Sequence, residues 1–177
     1  MPFYYTAESG GVGSDITTSA TPNTEQDDAF VAVQSGVNVA LSYTIAIYAG
    51  GKSAGLTTIS GIAFRVKKWT TTKSTGGNAM GGTSPAPYDI GEQGIGAAQI
   101  DIKFRAPTAI TSGTGGPTYM GGFVCGATGP GGWISPNLDS YGRTLVGATS
   151  ASIDLFSSSA QPSLPYEAQF IVQGVVL

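Results

Sequence analysis

The segment YAGGKSAGL, residues 48–56, contains the Gly-Lys-Ser triplet that ends a nucleotide-binding P-loop, at residues 51–53. A P-loop also needs a glycine five positions before the glycine of that triplet, so that backbone N–H groups curl around the phosphates. Ala46 stands at that position. The loop must then open a helix, whose N-terminus favours negative charge, but the alternating, β-branched residues 56–66 predict a strand. We therefore interpret the segment as a loop between two strands and expect no nucleotide binding.

The residue types of the commonest catalytic and metal sites are scarce in this chain. It contains no histidine and one cysteine, Cys125. The Ser-His-Asp and Cys-His arrangements, His-ligated metals and a structural zinc site are therefore excluded. One cysteine also excludes an intrachain disulfide. Cys125 lies in GGFVCGATG beside apolar neighbours, and we expect a buried thiol that packs as a small hydrophobic side chain.

Carboxylate chemistry is the remaining catalytic option, because glycosidases use a pair of acidic residues. The Asp27–Asp28 pair and the Asp89-x-x-Glu92 spacing lie in turn-like segments, and a weak Ca²⁺ site on one of them stays open, although no known Ca²⁺ loop has these spacings. We predict no catalytic, cofactor-binding or metal-binding residue, no cofactor and no enzyme activity. The 11 acids are Glu8, Asp15, Glu25, Asp27, Asp28, Asp89, Glu92, Asp101, Asp139, Asp154 and Glu167.

Two further features have a binding and a structural interpretation. The Gly-rich segment GATGPGGW lacks the G-x-G-x-x-G pattern, and Pro130 removes a backbone donor, so we interpret its glycines as turn residues. Several aromatic residues suit a carbohydrate-binding platform, but core or subunit-interface positions are the commoner use of such residues. These aromatic residues are Trp69, Trp133, Tyr119, Tyr141 and Tyr166.

The composition is typical of a folded protein with a surface of few charges. Hydrophobic residues make 41% of the chain, charged residues only 11%, and 27 of the 177 residues are glycine. The net charge of −3 disfavours nucleic acid, which binds clustered Lys and Arg, and we interpret Arg65, Lys67 and Lys68 as a solvated strand face. No membrane span and no signal peptide are predicted. We expect a protein made in a host cytoplasm and exposed outside it, as virion proteins are.

Alternation with a period of two residues dominates the chain and predicts antiparallel strands with one buried face. It is clearest in VNVALSYTIAI, IAFRVKKW, QIDIKFR and YEAQFIVQ, and shorter candidates are FYYTA, AFVAV, TYMGGFVC and SIDLF. Residues 24–35, TEQDDAFVAVQS, fit either a helix with acids at its N-terminus or an acidic turn that leads into a strand.

Long loops rich in Gly, Thr and Pro separate these strands, a pattern that indicates an all-β fold. We predict an antiparallel β-sandwich or jelly roll. Residues 1–20 are predicted to be an N-terminal arm with a short strand, and residues 21–177 a single β-sandwich domain.

Three segments of the chain resemble the decoration (cement) proteins of tailed bacteriophages, which are small jelly-roll proteins. They are PFYYTA near the N-terminus, FRVKKWTTT in the middle, and SASIDLFSSSAQPSLPYEAQFIVQ near the C-terminus. The resemblance implies a homotrimer on the outer surface of a capsid, with the major capsid protein as partner. It also implies no cofactor and no enzyme activity.

The candidate interface residues are Phe3, Tyr4, Tyr5, Trp69 and Trp133. The first three are consecutive aromatics, so at least one ring should point away from the chain's own core, and aromatic rings are good interface anchors. We expect residues 2–6 to pack on a neighbouring subunit or on the capsid shell. The alternatives are another virion part (head fibre, tail or major capsid component), a carbohydrate-binding module, and a β-sandwich glycoside hydrolase.

Overall fold

The period-two alternation of the sequence is realised as strands. The computed structural model describes residues 2–8, 16–33, 38–48, 61–79, 100–105, 108–126, 130–134, 144–146 and 151–176. Across these ranges the chain forms strands, turns and bends and no helix. The strands are β1 (Pro2–Glu8), β2 (Ile16–Thr17), β3 (Gln26–Val33), β4 (Asn38–Tyr48), β5 (Gly61–Trp69), β6 (Thr75–Gly76), β7 (Asn78–Ala79), β8 (Ile100–Phe104), β9 (Ile110–Thr111), β10 (Thr118–Gly126), β11 (Pro130–Ile134), β12 (Thr144–Val146), β13 (Ser152–Ser159) and β14 (Pro165–Val176).

The first sheet is built on the two longest strands, β4 and β14. Its order is β1-β14-β4-β11, with β12 also paired to β4 and β2 paired to β14. Every pairing is antiparallel. β4 and β14 are rich in β-branched and aromatic residues, which suit a pleated, half-buried surface. The register places Phe170 opposite Ile45.

The second sheet has the order β10-β5-β13-β3-β8-β7 and is also antiparallel. On β5, Ile62, Phe64 and Val66 are buried while the intervening residues are more exposed, as the alternation predicts. β13 differs, because almost every residue from Ser152 to Ser159 is buried. Both faces of this central strand are therefore covered.

One face of β13 is covered by two segments that we call the flap, residues 70–77 and 108–116. Strands β6 and β9 of the flap pair with each other, and Thr72 forms a bridge with Thr114. Ile110 of the flap lies in one buried cluster with Phe30 and Ala32 of β3. The flap thus adds a small second core on this face, which we call the outer face.

The opposite, inner face of the second sheet contacts the first sheet. The ring of Phe64 on β5 meets the ring of Tyr166 on β14 edge-on, with centroids 5.1 Å apart. Tyr166 is fully buried, as is Ile16, its register partner on β2. Leu164 joins this region through hydrogen bonds between its backbone and Thr18. The main core lies here.

The all-β prediction is confirmed, and each predicted strand appears. Of the two interpretations of residues 24–35, the helix is wrong and the strand is correct, because β3 runs from Gln26 to Val33. The acids Asp27 and Asp28 lie within that strand and not in a turn before it. Residues 130–134 were expected to be loop and instead form β11. The Gly-Lys-Ser triplet at residues 51–53 lies outside the described residues, but strands flank it, as expected. In the described ranges, no helix has the length and apolar character needed to cross a membrane.

Candidate functional site

Three acids lie buried in the second sheet. Asp27 and Asp28 are on β3 and Asp154 is on the neighbouring β13, and none is more than 5% exposed. The register of these strands passes from Asp27–Phe156 to Ala29–Leu155, so Asp28 occupies a β-bulge. Consecutive strand residues point to opposite faces. Asp27 accordingly joins Asp154 on the outer face, and Asp28 points to the inner face.

The Asp154 carboxylate is surrounded by donors. Trp69 Nε1 donates to its Oδ2 at 3.0 Å, Ser152 Oγ donates to its Oδ1 at 2.6 Å, and Ser74 Oγ also donates to Oδ2. These hydrogen bonds favour the ionised form, but burial is the largest effect and raises the pKa of Asp154. Ser74 belongs to the flap, so Asp154 connects the flap to the centre of the sheet.

Asp27 binds the second segment of the flap, residues 108–116. Its Oδ2 accepts a hydrogen bond from Ser112 Oγ at 2.8 Å. Within the described residues, no donor reaches its Oδ1, which is inaccessible to solvent. Burial, and next the charge of Asp154, raise the pKa of Asp27 to about 10. A proton on Asp27 at neutral pH accounts for both the missing donor at Oδ1 and the raised pKa. The protonated carboxyl can donate a hydrogen bond to Asp154.

Asp28 has a separate environment on the inner face. Its Oδ2 accepts hydrogen bonds from Tyr166 Oη, at 2.5 Å, and from Ser157 Oγ, and its Oδ1 accepts one from Gln26 Nε2 at 2.5 Å. Burial outweighs these hydrogen bonds and raises the pKa of Asp28 to about 6, while the nearby charge of Arg105 lowers it. Burial also raises the pKa of the Tyr166 hydroxyl well above its usual value. Asp28 therefore joins the two sheets through a polar contact.

The chemistry available to these acids is proton binding. Paired carboxylates with separated pKa values are the arrangement used by acid–base catalysts. In this protein the paired acids Asp27 and Asp154 are nearly inaccessible, and the flap residues Ser74 and Ser112 bond directly to them. A substrate would have to displace the flap to reach either carboxyl. The arrangement favours a structural role.

An ion pair lies beside this cluster. Lys67 Nζ is 2.5 Å from Glu25 Oε2 and 4.2 Å from the centroid of the Phe156 ring. Arg65 lies 3.6 Å from the other oxygen of Glu25. The prediction of a solvated basic face therefore holds for exposed Arg65 but is wrong for Lys67, whose side chain is only 14% exposed. The ammonium group of Lys67 is therefore paired with a carboxylate of the same chain.

The second candidate feature is β10, the last strand of the second sheet within the described residues. Tyr119 is 62% exposed and Val124 is 72% exposed. The neighbouring Phe123 instead stacks on Phe64 with ring centroids 4.9 Å apart. A β-bulge shifts the register between Tyr119 and Gly121. The nine residues of this strand, TYMGGFVCG, include no charge.

The five predicted interface residues lie on three different strands. The indole of Trp69 is half-buried and bonds to Asp154. Trp133 lies in β11 and pairs with Ile45, and the aromatic run of β1 pairs with residues 172–174 of β14. That run is Phe3, Tyr4 and Tyr5. An interface role for all five stays a prediction.

Other predictions have a clear outcome. Tyr166 cannot serve a carbohydrate platform, because it is fully buried. Cys125 is buried as expected, and burial raises its thiol pKa to about 11. Sequence reasoning missed the acid cluster, because it placed Asp27 and Asp28 in a turn-like segment, whereas both lie in strand β3. Asp154 stands within the alternating strand SIDLF, but this pattern indicates a buried acid only once both faces of β13 are known to be covered.

In the parts of the chain that the structure describes, no group of three or more His, Cys, Asp and Glu side chains is arranged to hold a metal ion. Comparison with known proteins adds no relative: no protein-family model matches the chain, and no curated protein and no solved structure matches it.

Proposed function

We propose that this protein is a virion structural protein, a capsid decoration (cement) protein that assembles as a homotrimer on the outer capsid surface and binds the major capsid protein. It would be made in the host cytoplasm and carried on the exterior of the virion. The resemblance of three segments to that family supports the proposal, as does an all-β antiparallel fold.

We further infer that the two sheets form a sandwich of the jelly-roll type. The contacts of Tyr166 support this arrangement, because this residue of the first sheet touches Phe64 and bonds to Asp28, both in the second sheet. Buried aromatic contacts between the inner faces of two antiparallel sheets are typical of sandwiches.

The functional proposal depends most on β10, which ends the second sheet in the described part of the chain and carries no charge. Proteins usually protect sheet edges with charged residues, proline, a β-bulge or a covering segment, because an open edge pairs with other chains. β10 has a β-bulge near its start, but it carries no charge and exposes Tyr119 and Val124. Aromatic and aliphatic side chains of this kind anchor interfaces. A closed trimer would cover such an edge on each subunit.

The buried acids fit the same proposal. Asp154 and Asp27 accept hydrogen bonds from Ser74 and Ser112 of the flap that covers them, and such contacts suit a rigid scaffold. A protein that binds only the assembled lattice stabilises that lattice by mass action. Because charged residues make only 11% of the chain, hydrogen bonds and apolar contacts would carry its interfaces.

A binding experiment tests this proposal. Shells are purified from a virus whose copy of this gene is deleted, and they are sedimented with the purified protein. We expect saturable binding, a trimer by light scattering, and loss of trimer and binding in Val124→Asp. Thr24→Asp, at an exposed position before β3, is the control and should bind normally. A monomer that ignores the shells but binds a glycan array would instead favour a carbohydrate-binding module.

A further inference from the structure

We propose that Asp27 and Asp154 share one proton, and that this proton locks the flap onto the outer face of the second sheet. The inference is independent of the proposed capsid role, because it concerns contacts within one chain. It makes the flap a device that opens when the proton is lost.

The geometry of the flap gives each acid a separate attachment. Asp154 accepts from Ser74 in the first flap segment, and Asp27 accepts from Ser112 in the second. The two segments are joined because Gly113 N donates to Ser74 Oγ at 2.9 Å. Ser74 N also donates to Ser152 Oγ at 3.0 Å, next to Asp154. Separation of the two carboxyls would therefore strain both attachments.

One oxygen in this cluster shows where the proton is needed. Asp27 Oδ1 is buried, and the described part of the chain offers it no donor. A buried acceptor without a donor is costly. The facing carboxyl of Asp154 is itself an acceptor for Trp69, Ser74 and Ser152. A proton on Asp27 satisfies its own oxygen and adds a hydrogen bond to Asp154.

Nearby positive charges do not replace this proton. On β5, Lys67 is opposite Asp154 in register, but its ammonium group is bound to Glu25. From the end of β8, Arg105 acts on Asp28. Lys73 is the flap's only charged residue.

The remaining charge near Asp27 is negative. Asp28 lies beside it on β3 and raises the pKa of Asp27, as Asp154 does. Two ionised carboxylates in one buried site repel each other, and such pairs usually keep one proton. Ionisation of both acids would then favour the open flap, because water can solvate the two charges only when the flap no longer covers them.

The experiment measures protonation and flap opening separately. Carboxyl carbon shifts of Asp27 and Asp154, recorded by NMR from pH 4 to 10, report the proton directly. Trypsin cleavage after Lys73 reports flap opening, since the amide N of Ser74, in the bond that is cut, is hydrogen-bonded in the closed state. Cleavage rates are divided by those of a free peptide of residues 70–77, which removes the pH dependence of the protease.

We expect one protonated carboxyl at pH 7 and a normalised cleavage rate that rises about tenfold per pH unit between pH 7 and 9, because opening releases one proton. Asp27→Asn keeps a donor to Asp154 and cannot ionise, so its cleavage rate should change less than about twofold across this range. Asp101→Asn, on the neighbouring β8, is the control and should behave like the wild type.

Two results would overturn the proposal. One is a pair of carboxyls that are both ionised at pH 7. The other is a rise of cleavage with pH that is equally steep in Asp27→Asn. If that variant does not fold, the carboxyl titration of the wild-type protein decides alone.

Discussion

Trp69 donates its indole N–H to the carboxylate of Asp154 across two neighbouring strands, at 3.0 Å. In register Trp69 stands opposite Ser152, not Asp154, so the bond runs diagonally along the sheet. Ser152 in turn donates to the same carboxylate. A side chain expected to serve an interface thus completes a buried polar network, and such networks fix one arrangement of the elements they join.

Removal of the Asp154 carboxylate should destabilise the protein strongly. Asp154→Ala leaves the donors of Trp69, Ser74 and Ser152 without an acceptor, and loss of a buried polar network of this kind costs about 3 kcal/mol. Urea denaturation gives the free energy of unfolding. Asp101→Ala removes a carboxylate 3.8 Å from Lys103 on a more exposed strand and should cost less than about 1 kcal/mol. Equal losses in both variants would contradict the network.

Stability should fall as pH rises. Asp27 has a pKa of about 10 in the folded protein, against an unfolded value of 3.8, so its contribution is complete below pH 4 and is lost toward pH 10. We expect the free energy of unfolding to fall by about 1.4 kcal/mol per pH unit between pH 7 and 9. Between pH 3.8 and about pH 6 the raised pKa of Asp28 steepens the slope further. Denaturation curves at several pH values should show a nearly flat profile above pH 7 in Asp27→Asn. A wild-type profile as flat as that of the variant would refute the assignment.

The flap should not tolerate a side chain at Gly113. A Cβ there would lie 2.8 Å from Trp69 Cβ and would collide with the carbonyl oxygen of Thr72. We expect Gly113→Ala to lower stability by about 2 kcal/mol, the range of overpacked sites. Gly126 is the matched control, because a Cβ at that position meets nothing within 4 Å. Gly126→Ala should therefore change the thermal midpoint little, and a larger loss there than at Gly113 would contradict the described packing.

The hydroxyl of Tyr166 should stabilise the contact between the sheets. Tyr166→Phe removes the donor to Asp28, which lies 2.5 Å away, and loss of a hydrogen bond to a charged group costs about 2 kcal/mol. The variant should also raise the pKa of Asp28 further, since this hydrogen bond lowers it. Tyr119→Phe, at a residue that is 62% exposed, should leave both quantities unchanged. Carboxyl NMR and urea denaturation measure the two effects.

The N-terminal strand offers a test of the interface prediction. Deletion of residues 1–7 removes most of β1, which pairs with β14 from Pro2 to Glu8. We expect the remaining sheets to fold, because β14 keeps its ladder with β4, and we expect weaker trimerisation or capsid attachment. Circular dichroism and light scattering separate these outcomes. A truncated protein that still forms a trimer and decorates shells fully would show that residues 2–6 are not an interface.

Local patterns predicted the strands well where one face is buried and the other is solvated. Ile62, Phe64 and Val66 are examples. The pattern was ambiguous at β3, because the acids at 27 and 28 suit a helix N-terminus as well as a buried bulge. It failed at β11, where Gly and Pro usually mark loops.

The candidate site could not be predicted from sequence, because its members meet only through tertiary structure. Asp27 and Asp154 are far apart in the chain and become neighbours only in the β3–β13 ladder. The flap that buries them has a composition of Thr, Ser and Gly, which is typical of exposed loops. A flap of this composition can nevertheless cover a buried acid pair, because its Ser hydroxyls donate hydrogen bonds to the two carboxyls.

Electron cryomicroscopy of native particles is the decisive test of our proposal that this protein is an exterior component of a capsid. We predict density for three copies at each occupied position on the outer surface of the shell, with the exposed side chains of β10, Tyr119 and Val124, at the contact between copies. Absence of the protein from the particle, or its location in the tail or inside the shell, would show that it is not a decoration protein.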